Sequence, residues 1–393
     1  MQVNTGSPVT FLINSLCEGG AEKGMITLSK ELLLNNQDVT ILALAKNDFY
    51  DVPSGVNLIY LSEMSDTLSG LKKMFYIPYH SWKLKKYVQE HKVLNVQSHL
   101  FRANFVNLFS RVLGATQNIQ VVNHTVVTRF LTDGLSGKVN LFLIGLLYPK
   151  ADLIVNISQR MQEEFHKQFS NKREKTVIYN PYNVEEIIAL SHEKVENFNF
   201  EKNKRYLVTV GRLIELKRFS DVLNAMVDLP FDVELILLGD GEERTSLENL
   251  AKSLNLEERV HFLGQVKNPF KYIEKCDLFI SSSSVEGFPN VLVESMLCKT
   301  VVISSDCVSG PREILAPKTD SSGQLLSGIE MAEFGVLYSV ADVNSLNISI
   351  KNLLDNNQLK NNYVKKAFKQ AQLFSVESIA LKYREVLSHV KAR

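Results

Sequence analysis

The stretch Asp277-Leu-Phe-Ile-Ser281-Ser-Ser-Ser-Val-Glu286-Gly-Phe-Pro-Asn-Val-Leu-Val-Glu294 reads as a buried strand, a turn and a helix. Asp277 to Ser281 is a short apolar run closed by turn residues, the pattern of a strand buried on both faces. Pro289 suits the first helical position, where its fixed φ is already helical. Glu286, Gly287 and Phe288 then fall in the turn, and Glu294 on the helix. Five residues of rise separate Pro289 from Glu294, about 7.5 Å. Helical side chains lean back toward the N-terminus, so one ligand can meet both acids. The free N–H groups of Asn290 and Val291 would face an anion such as a diphosphate. From the spacing alone, an exposed capping carboxylate and a solvated helix Glu are the plainer reading.

Similar strands recur outward from this stretch. Val9 to Asn14, Val39 to Leu44, Val93 to Gln97, Ile119 to Asn123, Leu153 to Ile157 and Val177 to Asn180 alternate with amphipathic helices. A second series begins at Tyr206 to Gly211 and continues through Val233 to Leu238, Val260 to Leu263, Asp277 to Ser281 and Val301 to Ser304. This is the α/β pattern of open parallel sheets covered by helices, and two series predict two domains. The charged, Asn-rich segment from Val184 to Lys204 reads as the linker.

Composition is that of an ordinary globular chain: 393 residues, 45% hydrophobic, 22% charged. A net charge of +1 gives no global case for nucleic acid. Cys17, Cys276, Cys298 and Cys307 lie far apart and predict buried thiols in a reducing compartment, not zinc or a disulfide framework. The N-terminus lacks a charged n-region, which predicts no signal peptide. The longest apolar run, Leu141 to Tyr148, is too short to span a bilayer.

Glu286-Gly-Phe-Pro-Asn-Val-Leu-Val-Glu294, after Ser281-Ser-Ser-Ser-Val285, resembles the E-x7-E signature of family 4 retaining glycosyltransferases. The resemblance covers nearly the whole chain and implies the GT-B fold, two Rossmann-like parallel-sheet domains facing a central cleft. Residues 1–185 would form the acceptor domain and 186–374 the nucleotide-sugar domain, with a helix at 375–393 returning to the first domain. A ligand is then expected between the two sheets. In the family the second Glu binds the nucleotide ribose and the first binds the donor sugar, roles that fall to Glu294 and Glu286.

Gly211-Arg-Leu-Ile-Glu-Leu-Lys217 follows the first strand of the second series, so Arg212 and Lys217 lie at a carboxyl edge. Both can reach a diphosphate, and each charged hydrogen bond contributes roughly 1.5–3 kcal/mol. Solvated surface charge is the plainer reading, and resemblance to the family's phosphate-binding pattern argues against it. The family often carries Gly after this lysine, where the chain has Arg218. Glu18-Gly19-Gly20-Ala-Glu22 resembles the family's G-G-A-E element, which implies that Gly19 and Gly20 neighbour the donor phosphate. His124 ends a strand, and the resemblance places it beside the reacting sugar; His99 ends the preceding strand and would serve similarly. Gly264, Gln265 and Val266 look like the segment whose backbone recognises the base. Asp306 to Ile314 resembles a loop of bacterial polysaccharide transferases, without assignable individual roles.

Lys72 to Tyr87 mixes five lysines with five aromatics and contains the only Trp. It suits an anionic membrane surface, or equally a helix whose aromatics pack inward. Together these readings predict a cytoplasmic enzyme, peripheral on the inner face of the membrane. It would transfer a hexose or N-acetylhexosamine from a UDP-sugar, with retention and without metal or cofactor, to a glycan linked to a polyprenyl diphosphate. A UDP-sugar epimerase on the same fold and a degenerate nucleotide-sugar-binding module are the alternatives.

Overall fold

The structure is a computed structural model that describes residues 8–63, 70–169, 174–320 and 322–388. It divides into two compact units, Met1–Pro181 with Val376–Arg393, and Tyr182–Ser375. Each unit carries a seven-stranded sheet.

The first unit contains strands β1 (Val9–Ile13), β2 (Val39–Ala43), β3 (Asn57–Tyr60), β4 (Asn95–His99), β5 (Asn118–Asn123), β6 (Leu153–Asn156) and β7 (Glu174–Val177), in the order β3-β2-β1-β4-β5-β6-β7. All pair in parallel. β1 and β5 are buried at every position, as a strand covered on both faces must be. The helices are α1 (Gly20–Leu34), α2 (Gly70–Met74), α3 (Ile77–Glu90), α4 (Phe101–Val112), α5 (Gly134–Leu147) and α6 (Gln159–Gln168). Ser158 caps α6 by accepting from the Met161 N–H.

The second unit contains β8 (Arg205–Val210), β9 (Val233–Leu238), β10 (Val260–Gly264), β11 (Leu278–Ser281), β12 (Val301–Ser305), β13 (Ile329–Met331) and β14 (Val336–Tyr338), in the order β10-β9-β8-β11-β12-β14-β13. The expected all-parallel sheet needs one correction, because the edge strand β13 runs antiparallel to β14. Its helices are α7 (Val184–Ser191), α8 (Phe219–Met226), α9 (Arg244–Ser253), α10 (Phe270–Ile273), α11 (Asn290–Leu297), α12 (Pro311–Leu315), α13 (Val343–Leu354) and α14 (Asn357–Ala371). The segment read as a linker therefore begins with a helix. Asn183 accepts from the Glu186 N–H while its amide donates to the Glu186 carboxylate, a reciprocal cap that starts α7.

The last helix, α15 (Val376–Ser388), belongs to the first unit and packs on α1. Gln120 donates to the Val386 carbonyl, and Asn95 Nδ2 donates to the Leu387 carbonyl at 2.8 Å. The unit boundaries fall at Pro181/Tyr182 and Ser375/Val376. There the Tyr182 N–H donates to the Phe374 carbonyl at 3.0 Å, and Tyr182 bridges Ser375.

Candidate active site

In the second unit the chain winds outward in opposite directions from β8 and β11. The crevice at the carboxyl ends of these two strands is thus a topological switch point, where open sheets bind ligands. Arg212 and Lys217 follow β8, and Glu286 and α11 follow β11.

Lys217 Nζ lies 2.6 Å from Glu286 Oε1, and Ser283 Oγ donates to the same oxygen at 2.6 Å. Among the described residues nothing bonds Glu286 Oε2. Lys217, expected to face a diphosphate, thus also orients the carboxylate assigned to the sugar. The serine run holds the arrangement: Ser282 Oγ donates to the Lys217 carbonyl at 2.7 Å, and the Ser284 N–H to the Leu216 carbonyl at 2.9 Å. Beneath it Cys307 is buried, and that burial, followed by the Glu286 charge, pushes its thiol up, so it stays neutral. Cys276 and Cys298 are buried as expected, whereas Cys17 is only partly buried, with Sγ 3.4 Å from Glu22 Oε1.

Arg212 is exposed, and its guanidinium has no hydrogen bond or ion pair among the described residues. The loop that carries it is clamped by a glycine pair missed in the sequence. At Gly239 a Cβ would stand 1.9 Å from the Gly211 carbonyl oxygen, and at Gly241 2.4 Å from that of Leu213. Only glycine allows this approach; the available signal was a Gly-x-Gly directly after a strand. Arg218 adopts a left-handed conformation, φ +50, which explains the glycine expected there from resemblance. Its guanidinium pairs with Asp221 at 2.7 Å.

Pro289 is not the first helical residue. It is the N-cap of α11, with ψ 98, so the first helical N–H groups belong to Asn290 and Val291. Tyr182 Oη donates to Asn290 Oδ1 at 2.6 Å and so fixes the head of the helix. Glu294 is 5% exposed, which sets aside the solvated-surface reading. The Asp306 to Ile314 loop acquires a role as a buttress. Ser309 Oγ donates to the Gly287 carbonyl at 2.6 Å, and a Cβ on Gly310 would meet Pro289 Cδ at 2.3 Å. Arg312 anchors the loop to Asp306 at 2.6 Å and to Glu330 at 2.8 Å. Gly264 closes β10 with φ +70 and accepts from the Gly239 N–H at 2.8 Å; Gln265 beyond it is exposed and Val266 half-buried.

In the first unit the strand order reverses between β1 and β4. Gly19 and Gly20 follow β1, His99 ends β4, and His124 follows β5. The Glu22 carboxylate folds over Gly19, where a Cβ would stand 2.2 Å from Oε2. His99 Nδ1 and His124 Nε2 are 3.0 Å apart, so the two histidines form one hydrogen-bonded unit.

Of the five aromatics between Lys72 and Tyr87, only Tyr87 packs inward, against the core of the first unit. Phe75 is 84% exposed and Trp82 53%, with Tyr76 and Tyr79 also exposed. Ile77, His80, Ser81, Leu84 and Val88 form the buried face. Lys85 departs from the expected basic face: its Nζ donates to the Leu113 carbonyl at the end of α4, 2.7 Å. No helix among the described residues is long and apolar enough to cross a membrane.

Residues 18–186 match the profile described as Glycosyltransferase Family 4, and residues 191–370 match Glycosyl transferases group 1. The chain is 32% identical, over 95% of its length and 98% of the relative's, to the N-acetylgalactosamine-N,N'-diacetylbacillosaminyl-diphospho-undecaprenol 4-alpha-N-acetylgalactosaminyltransferase of Campylobacter jejuni. It is 25% identical, over 98% of its length and 99% of the relative's, to the GalNAc-alpha-(1->4)-GalNAc-alpha-(1->3)-diNAcBac-PP-undecaprenol alpha-1,4-N-acetyl-D-galactosaminyltransferase of the same organism. Among solved structures, Anabaena HepE in complex with UDP superimposes with a TM-score of 0.74 at 20% identity, covering 97% of this chain and 99% of that one. The chain belongs to the family 4 glycosyltransferases, enzymes of the GT-B fold.

Proposed function

We propose that the enzyme transfers a hexose or N-acetylhexosamine from a UDP-sugar to a glycan carried on a polyprenyl diphosphate, with retention of configuration. The paired Lys217 and Glu286 at the β8/β11 switch point carry this reading, since a cation for phosphate and a carboxylate for hydroxyls stand side by side. Arg212, Lys217 and the N–H groups of Asn290 and Val291 neutralise the diphosphate. Glu294 binds the ribose, the backbone from Gly264 to Val266 the uracil, and Glu286 the sugar hydroxyls. Gly19 and Gly20 neighbour the donor phosphate, and His124 the transferred sugar.

The sugar C1–O bond breaks with its electron pair leaving on UDP. The acceptor hydroxyl attacks C1 on the same face, and its proton passes to the departing phosphate oxygen. The sequence contains no Asp-x-Asp pair to hold a cation on the diphosphate, and the cationic cradle takes over that role. The two Campylobacter relatives are named for undecaprenol-diphosphate-linked acceptors, which supports the choice of acceptor. The outward Phe75, Tyr79 and Trp82 with neighbouring lysines support docking on an anionic membrane, on the cytoplasmic side where a UDP-sugar is available. Titration with a panel of UDP-sugars, with and without a lipid-linked oligosaccharide, tests the reading. Turnover that requires acceptor is expected, and acceptor-independent conversion of the donor would replace it with epimerisation.

A further inference from the structure

The pair of histidines in the first unit has a polarity that its surroundings decide. His99 is 2% exposed, and the Phe11 ring packs edge to face against it, 5.5 Å between centroids. Its Nδ1 lies 3.0 Å from His124 Nε2, while its Nε2 is buried and has no hydrogen-bond partner among the described residues. Burial holds the His99 ring neutral, its pKa well below the usual value, and takes His124 to about 4.

A neutral pair can share its proton in two ways. If His124 donated from Nε2, His99 would carry its own proton on Nε2, a buried N–H with nothing to receive it. If His99 donates from Nδ1, the unpartnered atom is a bare acceptor. Orphaned buried N–H groups are the rarer case, so the second arrangement prevails. His124 then has its acceptor nitrogen occupied and its proton on Nδ1.

We propose that His99 is a positioning residue that locks His124 as the Nδ1–H tautomer, making it a hydrogen-bond donor to a sugar or phosphate oxygen and depriving it of a free basic nitrogen. This rests on the assignment of His124 to the transferred sugar. It deepens that assignment, because a His124 without a free lone pair cannot deprotonate the acceptor, leaving the proton to the departing phosphate oxygen.

The test uses full-length enzyme with 15N-labelled histidine. Long-range 1H–15N correlation spectra should show both His99 and His124, assigned by substitution, as Nδ1–H tautomers; an Nε2–H His124 overturns the proposal whatever the activity. In parallel, His99→Leu should lower kcat roughly tenfold with UDP affinity and melting temperature close to the parent. His99→Asn, whose amide can donate from near the Nδ1 position, should recover most of the loss. If His99→Leu is fully active while His124→Ala is not, the positioning role is overturned and the assignment of His124 stands. If both variants are fully active, the assignment of His124 itself fails.

Discussion

Glu286 Oε1 receives both the Lys217 ammonium and the Ser283 hydroxyl, each at 2.6 Å. The carboxylate assigned to the sugar and a cation assigned to the diphosphate therefore hold one another. Removing Glu286 frees Lys217 for phosphate, so Glu286→Ala should bind UDP as well as the parent or better while transfer falls by about 10²-fold or more. Glu294→Ala should instead weaken UDP itself. Calorimetry with UDP separates the two, and equal losses in both variants would overturn the roles.

Tyr182 touches the same site from the segment where the chain enters the second unit. Its hydroxyl fixes Asn290 at the head of α11, and Asn290 supplies an N–H assigned to the diphosphate. Tyr182→Phe keeps the packing against Phe374 and loses one hydrogen bond, about 1 kcal/mol, so UDP should bind roughly fivefold more weakly. A binding isotherm identical to the parent's would remove Tyr182 from the account.

The cationic cradle implies that catalysis needs no divalent ion. Activity should persist in excess EDTA, whereas loss with recovery on adding Mn²⁺ or Mg²⁺ would mean that the phosphate site has been misread.

Neutralising Lys72, Lys73, Lys83 and Lys86 should release the enzyme from anionic vesicles, each lysine being worth about 1 kcal/mol near such a surface. Transfer to a short water-soluble acceptor should be spared. Lys85 is left out of the set because it binds the Leu113 carbonyl, and Lys85→Met should lower thermal stability with little effect on sedimentation. Unchanged co-sedimentation of the fourfold variant would assign the aromatic face to something other than lipid.

The buried strands were legible because a strand covered on both faces is predominantly apolar; β1, β9 and β11 are buried at every position and carry one polar residue each, Thr10, Glu234 and Ser281. β3 escaped notice because, as an edge strand, it is only partly buried, and β13 and β14 because three residues leave little pattern. β7 lies a few residues before the Val177 to Asn180 run. α7 was hidden in a charged segment, although Asn183 followed by Glu186 was a readable cap. Glu286, Glu294, Arg212 and Lys217 stood out in the sequence because their types and order carry chemistry. Gly239 and Gly241 did not, and the serine run was read only as part of the signature, because close approach and contacts to backbone depend on the fold rather than on residue type. The union of His99 with His124 depends on β4 and β5 being neighbours, a fact of topology that no local motif contains.

The anomeric configuration of the product tests the central claim most directly. Same-face attack, with the diphosphate itself taking the acceptor proton, requires that an α-linked UDP-sugar give an α-linked product. Proton NMR of the isolated glycan made from a gluco- or galacto-configured donor should show the small anomeric coupling of the α linkage. A large β coupling would contradict both the retaining mechanism and the roles given to Glu286, Lys217 and His124.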